Sequence, residues 1–207
     1  MSDRGTPTYP AGTMQALLTT DLVTPQTRRV LAQRLKSPPI DCPPVLDPTE
    51  LATLRAVCAR LIPQPDRAEP IDLAAAVHDR LARNEGNGWR YAAMPPDLEA
   101  YRLGLLGLDE LAHRMGGAAF VDLEAQRQDA VLRAVQRGEV GKSWRALPVA
   151  LFFEELLAEL VECYYSHPLA QDEIGYVGYA DAHGWQAVGL DKLASHEPRP
   201  LPPVEQG

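Results

Sequence analysis

Cysteine is scarce in this chain. Cys42, Cys58 and Cys163 are the only three in 207 residues, too few and too scattered for a disulfide scaffold. No two stand in the Cys-x-x-Cys spacing that holds zinc or runs dithiol chemistry. Reduced, largely buried thiols are expected. Long apolar runs are lacking too: the longest, Leu147 to Phe153, stops at Glu154 and Glu155, far short of the roughly 20 residues that span a bilayer as a helix. No membrane insertion is expected. The pair Arg28-Arg29 is followed by Arg34 and Lys36 rather than by the apolar core of an export signal, and reads as helix surface. Positive charge is in the minority, 20 Lys and Arg against 28 Asp and Glu for a net charge of -8. Such a field repels phosphate backbones, so nucleic acid is not an expected partner. Alternating strand patterns and repeats of 20 to 50 residues are missing as well.

What is present is helical periodicity. The stretch from Met1 to Gly12 is polar and rich in Pro and Gly, an extended arm. Thr24-Pro25 is an N-cap with Pro in the first helical position, opening an Arg-rich helix that ends near Lys36 before a proline-dense connector. Asp47-Pro48-Thr49-Glu50 is a capping box, and Leu51, Leu54, Val57, Cys58, Leu61 and Ile62 follow at helical spacing up to Pro63. Further helices are predicted from Ile71 to about Asn84, from about Leu98 to Met115 with Gly116-Gly117 as its stop, from about Glu124 to Arg137, and from about Ala146 to Tyr165. The last carries apolar residues on more than one face, the mark of a central element or of one kept for a partner. Beyond Pro168 periodicity fades, while Tyr176, Tyr179 and Trp185 are interleaved with Gly175, Gly178, Gly184 and Gly189. Aromatics spaced in this way suit an irregular segment laid on a protein surface. The predicted fold is therefore all-α, an irregular multi-helix bundle, divided into an arm with one helix over 1–46, a helical domain over 47–190 and a Pro-rich tail over 191–207.

Motifs for chemistry are few. Gly86-Asn87-Gly88 has Tyr91 where a dinucleotide fold needs its third glycine, so no flavin or nicotinamide site is expected in this chain. Glu110 and His113 make a single Glu-x-x-His, while a bundle metal site needs a second copy; no metal site is expected. No nucleophile elbow is present either, since Gly141-Lys142-Ser143-Trp144-Arg145 lacks the closing glycine. His167, Asp172, Asp181 and His183 lie close together in sequence and could form a general acid and base, but no nucleophile or phosphate loop accompanies them.

Three stretches resemble one family. Glu162-Cys163-Tyr164-Tyr165-Ser166-His167-Pro168, then Asp172-Glu173-Ile174-Gly175-Tyr176, Gly184-Trp185 and Val188-Gly189, look like the C-terminal signature of gluconate 2-dehydrogenase subunit 3. The helix from Asp47 to the Ile62-Pro63 pair is similar to that family's first core helix, and the segment Tyr101 to Asp109 resembles its middle helix. The resemblance implies a small subunit without catalytic residues of its own, bound to a flavoprotein of the glucose-methanol-choline type that holds the FAD and oxidises a sugar, sugar acid or polyol. In several such complexes a multihaem cytochrome takes the electrons and the small subunit's leader exports its partner. The chain departs from the pattern in having Ala170-Gln171-Asp172 after the Ser-x-Pro turn and a Pro-rich extension where the leader would stand. That favours a cytoplasmic complex over a periplasmic one exported with a partner. Tyr164, Tyr165, His167, Pro168, Tyr176, Tyr179 and Trp185 are the expected partner-interface residues. The competing readings are an autonomous enzyme built on the His167 to His183 segment and a helical adaptor unrelated to redox chemistry.

Overall fold

A computed structural model describes residues 12–36, 43–86, 91–140, 144, 147–176, 189–190 and 192. Among these the chain is all-α, with eight helices, one 3-10 turn and no strand. It forms two compact units, one of residues 1–37 with 165–207 and one of residues 38–164.

The larger unit begins with α3, Pro48–Leu61. Its start is the predicted box: the Asp47 carboxylate accepts from the N–H groups of Thr49 and Glu50, and Glu50 reaches back to the Asp47 N–H at 2.8 Å. This satisfies donors that a helix end leaves unpaired. Next, α4 (Leu73–Arg83) is capped by Asp72, which accepts from Ala75 N–H at 2.9 Å, and ends where Asn84 turns left-handed at φ 52°. The long α5 (Asp97–Gly116) has acids in its first turn, His113 and Arg114 in its last, and stops at Gly117 with φ 77°, a conformation glycine adopts at little cost. A 3-10 turn at Phe120–Asp122 leads into α6 (Ala125–Gln136), and α7 (Val149–Tyr165) closes the unit.

One continuous core joins these elements. Leu54 and Val57 of α3, Val77 and Leu81 of α4, Leu105 and Leu108 of α5, Val131 and Val135 of α6, and Phe152, Leu156 and Leu160 of α7 are all buried in it. Arg60 clamps α3 to α6 with two bonds to Asp129, 2.7 and 3.0 Å, and that guanidinium holds the Asp129 carboxyl below its ordinary value. Along α7, Phe152 and Leu160 face the core while Val161 and Tyr165 are exposed.

The smaller unit contains α1 (Thr13–Leu17), α2 (Pro25–Arg34) and α8 (Pro168–Glu173). Thr24 caps α2 as read from the sequence. Neither α1 nor α8 was legible in the periodicity, since five and six residues show less than two turns. A separate small cluster of Met14, Leu18 and Leu31, with Leu35 against it, joins α1 to α2.

Candidate functional site

Two places in the molecule gather polar or aromatic side chains beyond what packing requires. The first is a charged network inside the larger unit. Arg80 on α4 grips Glu159 on α7 with two bonds, one of them Nη2 to Oε2 at 2.5 Å. Its Nη1 donates to Asp97 Oδ2 at 2.7 Å and to the Glu85 carbonyl at 2.6 Å. Tyr101 on α5, buried, donates its hydroxyl to Glu159 Oε2 at 3.1 Å. Burial by itself would lower the Arg80 pKa, but the bonds to Glu159 and Asp97 more than offset it, so the guanidinium stays charged. Glu159 is pulled both ways: burial raises its carboxyl and Arg80 lowers it, with a net rise. The two-pronged contact with Arg80 places it as a carboxylate at neutral pH. Burial and the Glu159 charge push the Tyr101 hydroxyl well above its ordinary value.

Beside the network lies a cavity of about 50 Å³ bordered by Tyr91, Met94, Phe152 and Glu155. It has room for a few waters and is well below the roughly 300–1,000 Å³ of sites that enclose drug-sized ligands. Burial, then Glu154 and Asp97, raise the Glu155 carboxyl, against a smaller pull from Arg80. No Ser, Cys or His lines the cavity. The arrangement ties α4, α5 and α7 together.

The second place is the segment after α7. His167 is the N-cap of α8, its Nδ1 accepting from Leu169 N–H at 3.3 Å. Asp172 accepts from the backbone N–H groups of Gly12 and Met14 at 2.6 and 2.9 Å. Arg34 donates to the Ser166 carbonyl at 2.9 Å. Pro168 is buried, whereas Tyr165, Ile174 and Tyr176 are 47%, 57% and 44% exposed. In the larger unit the ring of Tyr164 packs on the core and lies 5.9 Å below the Arg67 guanidinium. Tyr179, Asp181, His183 and Trp185 lie outside the described residues.

The profile of the gluconate 2-dehydrogenase subunit 3 family matches residues 48–184, about two thirds of the chain. The chain belongs to the gluconate 2-dehydrogenase subunit 3 family. No curated protein and no solved structure matches it. Membership makes the chain a small subunit of a multi-subunit dehydrogenase complex, and no described helix is long and apolar enough to cross a membrane.

The family range takes in both places described above and leaves α1 and α2 outside. Of the seven expected interface residues in this subunit 3 chain, Tyr165 and Tyr176 present large aromatic surface outward, His167 and Pro168 build α8, and Tyr164 is partly spent on the core. His167 and Asp172, the described half of the acid and base pairing, both serve as backbone caps. On α5, His113 is exposed with Nδ1 2.9 Å from the Asp109 carbonyl. Asp109, which carried no signal in the sequence, accepts from Phe120 N–H at 2.8 Å and so fixes the 3-10 turn. No group of three metal-ligating side chains occurs among the described residues. Sequence reasoning missed Arg80, Asp97, Tyr101 and Glu159 as a set, because the partners stand up to 79 residues apart.

Cys58 is buried and Cys163 half-buried; Cys42 is outside the described residues. Burial, then the charge of Asp72, pushes the Cys58 thiol up from 9.0 to about 12. Cys58 should thus resist alkylation at pH 8 in the folded chain and react once unfolded, as mass spectrometry of iodoacetamide-treated samples would record. The sign of the linkage follows. The folded pKa is the higher, so this stabilisation is fully present below pH 9.0 and is lost as pH rises toward about 12. The stability gap between the natural chain and Cys58→Ala should narrow across that window; a gap that widens would contradict the assignment.

Proposed function

We propose that this chain is the non-catalytic small subunit of an FAD-dependent dehydrogenase of the glucose-methanol-choline type, acting on a sugar, sugar acid or polyol. It stabilises or matures the catalytic flavoprotein, which holds the FAD, and brings no cofactor itself. The observation that carries this reading is the family match over residues 48–184. The exposed Tyr165, Ile174 and Tyr176 support it, because aromatic and aliphatic anchors of this kind dominate protein interfaces. Three scattered cysteines, too few for a disulfide scaffold, accord with a reducing compartment, the cytoplasm. The alternative of an autonomous enzyme at His167 and Asp172 is weakened because both side chains already accept backbone hydrogen bonds.

The interface residues can be tested one at a time against a flavoprotein of that type from the same organism. Tyr165→Ala, Tyr176→Ala and Trp185→Ala should each weaken the complex by about 2–4 kcal/mol, thirtyfold to a thousandfold, as read by calorimetric titration. The melting point of the lone chain should stay nearly unchanged. Tyr164→Ala should do the reverse and lower the melting point first, since its ring packs on the chain's own core. If Tyr165→Ala, Tyr176→Ala and Trp185→Ala destabilise the lone chain while the folded fraction still binds at full affinity, these residues are not the anchors.

A further inference from the structure

The helices α1 and α2 precede the family-matched region, yet the side chain that fastens α1 comes from inside that region. Asp172 of α8 receives the N–H of Gly12 on Oδ2 at 2.6 Å and the N–H of Met14 on Oδ1 at 2.9 Å. Gly12 and Met14 stand at the start of α1, where a helix leaves its donors unpaired and its dipole positive, so one carboxylate answers both needs. Gly12 is left-handed at φ 86°, a conformation that glycine supplies without strain. Arg34 of α2 adds its bond to the Ser166 carbonyl, just before α8. Met14, 1% exposed, packs with Leu18 and Leu31. On α8 itself Ala170 and Gln171 are buried, whereas Tyr165 before it and Ile174 and Tyr176 after it are exposed.

We infer that residues 12–36 form a clasp, latched by Asp172, that holds α8 in shape so that Tyr165, Ile174 and Tyr176 meet the flavoprotein already positioned. The inference rests on the partner reading above and adds how the docking segment is prepared. A helix of six residues is much shorter than the roughly 12–15 that stand alone in water. Without the clasp, the ordering of this segment would be charged against the binding free energy. With it, that ordering is done in the free subunit, and affinity rises by preorganisation. Asp172 is a positioning residue in this scheme and does not itself touch the partner.

Two full-length variants open the latch from opposite sides. Asp172→Ala removes the acceptor on α8. Met14→Asp sets a like charge against Asp172 and disrupts the small apolar cluster, leaving residues 165–176 untouched. Hydrogen exchange should quicken at least tenfold in residues 13–18 and 168–174 in both variants. Binding to that flavoprotein should weaken about tenfold or more, and the melting of the 38–164 unit should not change. Asp172→Asn, which keeps one acceptor oxygen, should lose less. Faster exchange with undiminished or tighter binding would overturn the clasp, as would unchanged exchange. If the unaltered chain does not bind the flavoprotein, the partner reading itself fails and the presenting role with it. The exchange arm separates that failure from a faulty latch.

Discussion

Replacing Arg80 by Ala should destabilise the chain by about 3–5 kcal/mol, the cost of leaving a buried carboxylate without its cation. The side chains of Arg80 and Glu159 are 19% and 15% exposed, so solvent offers Glu159 little relief once the guanidinium is gone. The Tyr101 hydroxyl would still reach it, and Asp97 would lose the same cation. The deficit should depend on pH. In the variant, burial raises the Glu159 pKa with Arg80 no longer there to oppose it, so protonation favours the fold. The loss should be smallest below the ordinary glutamate value of 4.5 and should grow as pH rises through the elevated folded pKa. Arg80→Ala combined with Glu159→Gln should recover much of the loss, because no buried charge then remains at that position. Denaturant unfolding at several pH values gives the comparison. A loss below about 1 kcal/mol at neutral pH, the size of an exposed pair, would show that the network is solvated.

A methyl group at Gly104 should cost about 2–3 kcal/mol, even though alanine is the better helix former by about 1 kcal/mol. The added Cβ would lie 2.1 Å from Cζ of Phe152 and 2.5 Å from both its Cε atoms. That ring is 1% exposed, with Tyr101 edge-on at 6.0 Å and Trp144 tilted at 5.7 Å between centroids. With Tyr101 and Trp144 against it, the ring must shift toward the cavity it borders or α5 and α7 must move apart. Gly107→Ala meets Trp144 Cε2 at 2.7 Å and should follow the same course. Pairing Gly104→Ala with Phe152→Leu should restore part of the loss, as chemical denaturation of the two variants would reveal. A Gly104→Ala chain as stable as the natural one would mean that the two helices pack less closely than described.

These two sites also mark where the sequence stops being readable. Asp47, Pro48 and Glu50 announce α3 because a capping box is local, complete within four residues. The leucine spacing of α5 and the Gly116-Gly117 stop fixed that helix to within a residue. Gly104 and Gly107, by contrast, look in the sequence like weak points of a helix, and only the rings of Phe152 and Trp144 explain them. Arg80 and Glu159 carry no local signal at all. Asp172 was read as part of a possible acid and base pair, but its partners are the N–H groups of Gly12 and Met14, about 160 residues away. The family resemblance was legible because it rests on residue identity in order along the chain. The candidate interface was legible only as composition, aromatics after Pro168, and its shape depends on α1 and α8, both too short to leave a periodic trace.

The account stands or falls on association with a flavoprotein, and sedimentation velocity followed at 280 nm and at the flavin band tests it in one experiment. The lone 22.7 kDa chain should sediment without flavin absorbance. Mixed with a purified flavoprotein of the glucose-methanol-choline type from the same organism, it should move into a single faster boundary that carries both signals. A chain that sediments with a flavin of its own, or one whose boundary is unchanged by the flavoprotein, would contradict the account.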